Sequence, residues 1–187
     1  VRGIPKPAWR AFELLHSHAG DHRLHTTLSN QTSPHLGAAP SFEPAPVLAS
    51  VSAFATINTS TTIAGTPVGS LGDLGSLRVF LSNWGNPDTA PVNATATRSV
   101  RVTVLHPANA GPASAEVQII SPTLTNPREL WDSMGAPGEP NSTERAVLMA
   151  ASQLKPPTAA SIIRVNDSAT AVEVSIAENA AAVLIFG

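Results

Sequence analysis

The chain has 187 residues, of which 13% are charged and 4% aromatic, and its formal net charge is −2. Such a length supports one domain with a modest core. The near-neutral charge excludes a basic stripe that displaces counterions from nucleic acid, and no apolar run reaches the roughly 20 residues of a membrane span. Having no Cys excludes disulfides, thiolate nucleophiles and Cys-based zinc sites. Ala, Ser, Thr, Pro and Gly dominate instead, a composition that favours strands joined by turns over long exposed helices. Val1 is not a start residue and no signal peptide follows it, so the chain reads as a piece of something longer.

In chain order, Pro7 suits a first helical turn because its missing N–H would have no partner there. Ala8, Ala11, Phe12 and Leu15 then recur with helical spacing, and Trp9 falls within the same apolar pattern. Gly20-Asp21 ends the helix. A terminal helix this short cannot bury its stripe alone, so it is expected to pack on a body lying before Val1. Residues 29–46, rich in Pro, Ser and Ala, read as a long insertion. Val47, Ala49, Val51, Ala53, Ala55 and Ile57 alternate with mostly polar neighbours as a strand. Residues 58–76 form a loop. Leu77 to Trp84 is the next strand, turned by Gly85-Asn86-Pro87. Val100, Val102 and Val104 mark a third strand, and Val117 to Ile120 a fourth.

Two short helices interrupt this pattern. Asn126-Pro127 reads as an N-cap followed by Pro at the first helical position, with Leu130, Trp131 and Met134 on the buried side and Gly135 and Pro137 as the stop. Asn141-Ser142-Thr143-Glu144 reads as a capping box. The apolar stripe Val147, Leu148, Ala151, Leu154 follows it, until Pro156-Pro157 blocks continuation. Strands near Ile162–Val165, Val172–Ile176 and Ala182–Phe186 complete the pattern. About seven short strands with turn signals between them predict a mainly β chain, an antiparallel β-sandwich with short helices.

Several residue types invite a chemical reading. His16, His18, His22 and His25 fall within ten residues, but Gly20 breaks the one helical His pair and leaves a solvated helix end rather than a metal site. Glu129 and Asp132 share a helix face and read as solvating charges. Trp9 and Trp131 are expected in the core. Trp84, at a strand end, is a candidate for touching a ligand or a neighbouring domain. Asn30, Asn58, Asn93, Asn141 and Asn166 each begin Asn-x-Ser/Thr. That is half of the ten Asn, more than Ser/Thr content alone produces, and it points to a secretory route and to candidate N-glycosylation sites. Of these, Asn58 and Asn93 lie in polar connections where an acceptor is reachable.

Three stretches resemble glycoside hydrolase family 39, which includes β-xylosidases and α-L-iduronidases. The first is Gly3-Ile4-Pro5-Lys6-Pro7 leading to Arg10–His16 and Gly20–Leu24, similar to the last helix of that family's (β/α)8 barrel. The second is Leu77 to Trp84, similar to a sandwich strand ending in Asn plus an aromatic. The third is Asn126-Pro127, Trp131, Met134-Gly135, Pro137 and Pro140, similar to the family's Asn-x-x-x-x-Trp-x-x-Met-Gly-x-Pro segment. The likeness runs from Gly3 to about Phe186, with the low-complexity loops as insertions. One residue is inserted around Ser17–Ala19, and Ser121–Leu124 lacks the acidic residue often found before that Asn. The resemblance implies that residues 1–25 end a catalytic barrel and 26–187 form an accessory β-sandwich. The parent would be a retaining O-glycoside hydrolase whose two catalytic Glu lie before Val1, with no catalytic residue, metal or cofactor in this chain. Its partners would be the missing N-terminal catalytic barrel and, through it, a carbohydrate substrate, in a secreted or lysosomal protein. The competing readings are a free-standing β-sandwich that binds carbohydrate and an adhesion module without a ligand.

Overall fold

The computed structural model describes residues 3–29, 50–58, 77–84 and 97–187. The predicted loops at 29–46 and 58–76 lie outside the described residues but for their first positions, as do Val47–Ala49 and the Gly85–Pro87 turn. The elements in order are α1 (Pro7–His18), β1 (His22–Leu24), β2 (Ser50–Ile57), β3 (Arg78–Trp84), β4 (Thr97–Leu105), β5 (Ala115–Ile120), α2 (Arg128–Ser133), α3 (Ser142–Ala151), β6 (Thr158–Ala159), β7 (Ile162–Asn166), β8 (Ala169–Ala177) and β9 (Ala180–Phe186). They form a six-stranded sheet, β1-β2-β3-β9-β5-β6, and a three-stranded sheet, β4-β8-β7. Every pairing is antiparallel. The β-sandwich is therefore as expected, with the short edge strands β1 and β6 added.

Alternation along the strands sorts side chains to opposite faces of the large sheet. Val79, Leu81, Ala182, Leu184 and Phe186 turn inward and meet Val104, Val172, Val174 and Ile176 of the small sheet. Phe80, Ile120 and Val183 turn outward and receive Leu14 of α1. Phe54 and Phe80 stack on this outer side with ring centroids 4.7 Å apart. The molecule is thus three layers: helix, large sheet, small sheet.

The face that α1 buries differs from the expected stripe. Ala11 and Leu15 do pack on the sheet, but the anchor is Leu14, 2% exposed, whereas Trp9 and Phe12 are 66% and 70% exposed. Core placement of Trp9 is therefore corrected. Arg10 and His18, at helical spacing from Leu14, turn the same way because they have partners there. Arg10 Nε donates to the Ser152 carbonyl at 2.7 Å, and His18 Nε2 lies 3.0 Å from Gln118 Oε1. Gln118 Nε2 in turn donates to the Lys155 carbonyl at 2.6 Å. The helix thus has a partner inside the chain, contrary to the expectation that it needs one outside.

Candidate functional site

The first and third recognisable stretches come together in space. Ile4, Lys6 and Pro7, at the start of α1, line one side of a cleft of about 310 Å³; Asn126, Pro127, Arg128, Trp131 and Leu148 line the rest. Pro7 begins α1 with Lys6 as a cap that makes no side-chain hydrogen bond. On the other wall, Asn126 works one position earlier than expected. Pro127 is the N-cap of α2, and Asn126 closes a turn before it: its Oδ1 accepts from Arg128 N at 3.1 Å and its Nδ2 donates to the Pro122 carbonyl at 2.9 Å.

Trp131 is half-buried rather than enclosed in a core. Its indole N–H donates to the Pro137 carbonyl at 3.0 Å, which fixes the ring against the Met-Gly-x-Pro turn. That turn needs left-handed backbone at Gly135 (φ +82°) and at Ala136 (φ +53°). Arg128 lies over the ring, its guanidinium carbon 4.9 Å from the centroid, while its Nε donates to Asp132 at 2.9 Å. Asp132 is therefore engaged in an exposed ion pair, and Glu129 is exposed beside it. Behind the cleft, α3 begins with the predicted capping box. Asn141 Oδ1 accepts from Glu144 N at 2.9 Å, and Glu144 Oε2 accepts from Asn141 N at 2.8 Å. The helix ends at Ala151, short of Leu154.

The other residues singled out in the sequence scatter. Asn58 is exposed at the end of β2, Asn141 caps α3, and Asn166 is exposed at the end of β7; Asn30 and Asn93 lie outside the described residues. Trp84 ends β3 opposite Ser50, and its side chain is outside what is described. Among the described residues no three His, Asp or Glu converge as a metal site, and no helix is long and apolar enough to cross a membrane, which says nothing of a β-barrel.

Two polar residues to which the sequence reading gave no structural role hold the layers together. Asn83 is 2% exposed and faces the small sheet; its Nδ2 donates to the carbonyls of Ile176 at 3.1 Å and Ala177 at 3.0 Å. The Asn of the Leu-Ser-Asn-Trp stretch is thus an inter-sheet clasp. His106 is buried as well, its Nδ1 donating to the Pro107 carbonyl and its Nε2 accepting from Thr170 Oγ1, both at 2.9 Å. Arg78 donates to the carbonyls of Leu77 and Phe186, and burial lowers its pKa against the raising effect of Glu116.

Trp9 and Phe12 sit three apart on the solvent side of α1, and Val147 of α3 is 44% exposed. Comparison of the whole fold with solved structures identifies this architecture. The GH39 enzyme from Xanthomonas axonopodis pv. citri superposes with a TM-score of 0.56 at 17% identity, covering 97% of this chain. The fold is that of part of a GH39 enzyme. The chain spans only 30% of that enzyme's length. A monomeric β-xylosidase from Caulobacter crescentus CB15 matches at TM-score 0.42 and 17% identity, over 71% of this chain and 25% of its own. A GH39 β-xylosidase from Caulobacter crescentus matches at TM-score 0.36 and 12% identity, over 71% and 21%. No protein-family model matches the sequence, and no curated protein does.

Proposed function

We propose that the chain is the C-terminal portion of a family 39 glycosidase, of xylan 1,4-β-xylosidase or α-L-iduronidase type. In this reading α1 is the last helix of a (β/α)8 barrel that supplies both catalytic Glu. The sandwich is the structural, non-catalytic part of a secreted or lysosomal enzyme. The observation that carries the proposal is the pairing of near-complete coverage of this chain with under a third of the GH39 enzyme. The exposed Trp9–Phe12 face supports it, because two large apolar side chains on a helix that is already packed on its other side fit a second body.

Retaining hydrolysis needs two carboxyl groups about 5–5.5 Å apart across the scissile bond, one of them protonated. In a (β/α)8 enzyme these stand at the C-terminal ends of different barrel strands. Here Asp132 pairs with Arg128 on the surface, and the Glu144 carboxylate closes the cap of α3. The test is turnover of an aryl β-xyloside and an aryl α-L-iduronide by the chain alone and by the chain with its upstream barrel. Activity only with the barrel is expected. Turnover by the chain alone, abolished in Glu129→Gln or Asp132→Asn, would overturn the division of labour.

One observation favours the free-standing alternative: Leu14 gives α1 an anchor within the sandwich itself. A glycan-binding module is then tested by titrating the chain with xylo-oligosaccharides; saturable binding lost in Trp131→Ala would favour it.

A further inference from the structure

We propose that Asn166 is an N-glycan acceptor and that its glycan guards the open edge of the small sheet. This inference does not depend on the barrel. Asn166-Asp167-Ser168 ends β7 and turns into β8, and all three residues are exposed. The turn is held from its backbone side. His106 N donates to the Ser168 carbonyl at 3.0 Å, and Asn109 N donates to the Asp167 carbonyl at 2.8 Å. Arg164 clamps it further by donating to Asp167 Oδ1 at 2.6 Å and to Asn109 Oδ1 at 2.9 Å. Asn166 Oδ1 accepts from Ser168 N at 2.8 Å. None of these bonds uses Asn166 Nδ2 or the Ser168 hydroxyl, the two groups the modification requires.

The chemistry is a group transfer from a lipid-diphosphate-linked oligosaccharide. Asn166 Nδ2 forms a bond to the anomeric carbon as the bond from that carbon to the diphosphate oxygen breaks; the amide loses a proton and the lipid diphosphate departs. Oδ1 remains a carbonyl oxygen, so the acceptor keeps its hydrogen bond to Ser168 N. The glycan sits on the small sheet, the layer farthest from α1, where it leaves the Trp9–Phe12 face free.

The reason for a guard lies in β7. Among the described residues it pairs with β8 alone, which leaves its other edge open. It also exposes Ile163 (37%) and Val165 (46%), while Arg164, its one charge, is committed to the turn. Open apolar edges template association with other chains unless bulges, charges or cover prevent it. The register shift between Arg164 and Asn166 is one such device. A bulky hydrated glycan at the same end is a second.

The experiment secretes the full chain from a eukaryotic cell behind a cleavable leader, as wild type, Ser168→Ala and Ser168→Thr. Amidase release of glycans in heavy-oxygen water marks each occupied Asn as labelled Asp, read by peptide mass. The same peptides are readable from chain retained inside the cell, so a variant that fails to fold still reports. Labelled residue 166 is expected in wild type and Ser168→Thr. Ser168→Ala, which keeps the backbone N–H of the turn, should lose the mass of one glycan. Light scattering should show that this variant self-associates with rising concentration while the other two do not. Unlabelled Asn166 in secreted wild type would overturn the acceptor. Ser168→Ala that loses the glycan yet self-associates no more than wild type would overturn the guarding role.

Discussion

Asn83 bridges the two sheets through one amide nitrogen, while its own Oδ1 is buried without a partner. Removing the side chain leaves two carbonyls short of a donor, so Asn83→Ala should cost about 1–3 kcal/mol in urea unfolding, within the range for a buried polar group left unsatisfied. Alternation in the sequence already puts Asn83 on the same face as Val79 and Leu81, so its burial was legible. Its acceptors were not, because they stand on a strand over ninety residues away that only the fold brings near. Gly20 is a second single-residue constraint. A Cβ there would lie 2.3 Å from the Ile57 carbonyl oxygen, which is backbone and cannot swing aside. Gly20→Ala should therefore destabilise by about 1–3 kcal/mol, as overpacking does, seen as a lower melting temperature. In the sequence Gly20 served only as a helix stop; the close pass of β2 that fixes it was invisible.

For the elements, the capping box of α3 was readable letter by letter because both of its hydrogen bonds are local. Asn141→Ala should cost about 0.5–2 kcal/mol, measured by thermal melts of unglycosylated protein, since the substitution also removes a sequon. Helix α1 was readable as a helix but not in its rotation. It has two apolar faces, one through Ala11, Leu14 and Leu15 and one through Trp9 and Phe12, and periodicity alone does not choose between them. What chooses is the outward pocket of Phe80, Ile120 and Val183, assembled from three separate strands. Leu14→Ala should accordingly cost about 2–5 kcal/mol, and deleting residues 1–25 should lower the melting temperature rather than improve the protein. The short edge strands β1 and β6 escaped the sequence reading because two or three residues carry no period. At α2, the expected N-cap Asn126 falls one residue outside the helix, whose N-cap is Pro127.

For the whole molecule, the two faces of α1 separate what the chain needs from what a larger protein would need. Trp9→Ala and Phe12→Ala should each change the stability of this chain by under about 0.5 kcal/mol, as exposed substitutions do. With the upstream barrel attached, the same changes should cost about 3–5 kcal/mol each if that face is covered, and equal effects in both contexts would remove the support it gives to the barrel. The large sheet carries a different consequence in its strand order. β9, the last described strand in chain order, lies between β3 and β5, and Arg78 reaches Phe186 across 108 residues of chain. Without β9, β3 and β5 have no neighbour between them, and the outward pocket lacks Val183, so α1 has nothing complete to dock on. The pairings β1-β2-β3, β5-β6 and β4-β8-β7 need no β9, but the large sheet closes only when β9 inserts between its two halves, a long-range step of the kind that slows folding. A chain cut before Ala180 should therefore keep the pairings of the small sheet yet split the large one in two, and lose α1 to protease faster than the chain that carries β9.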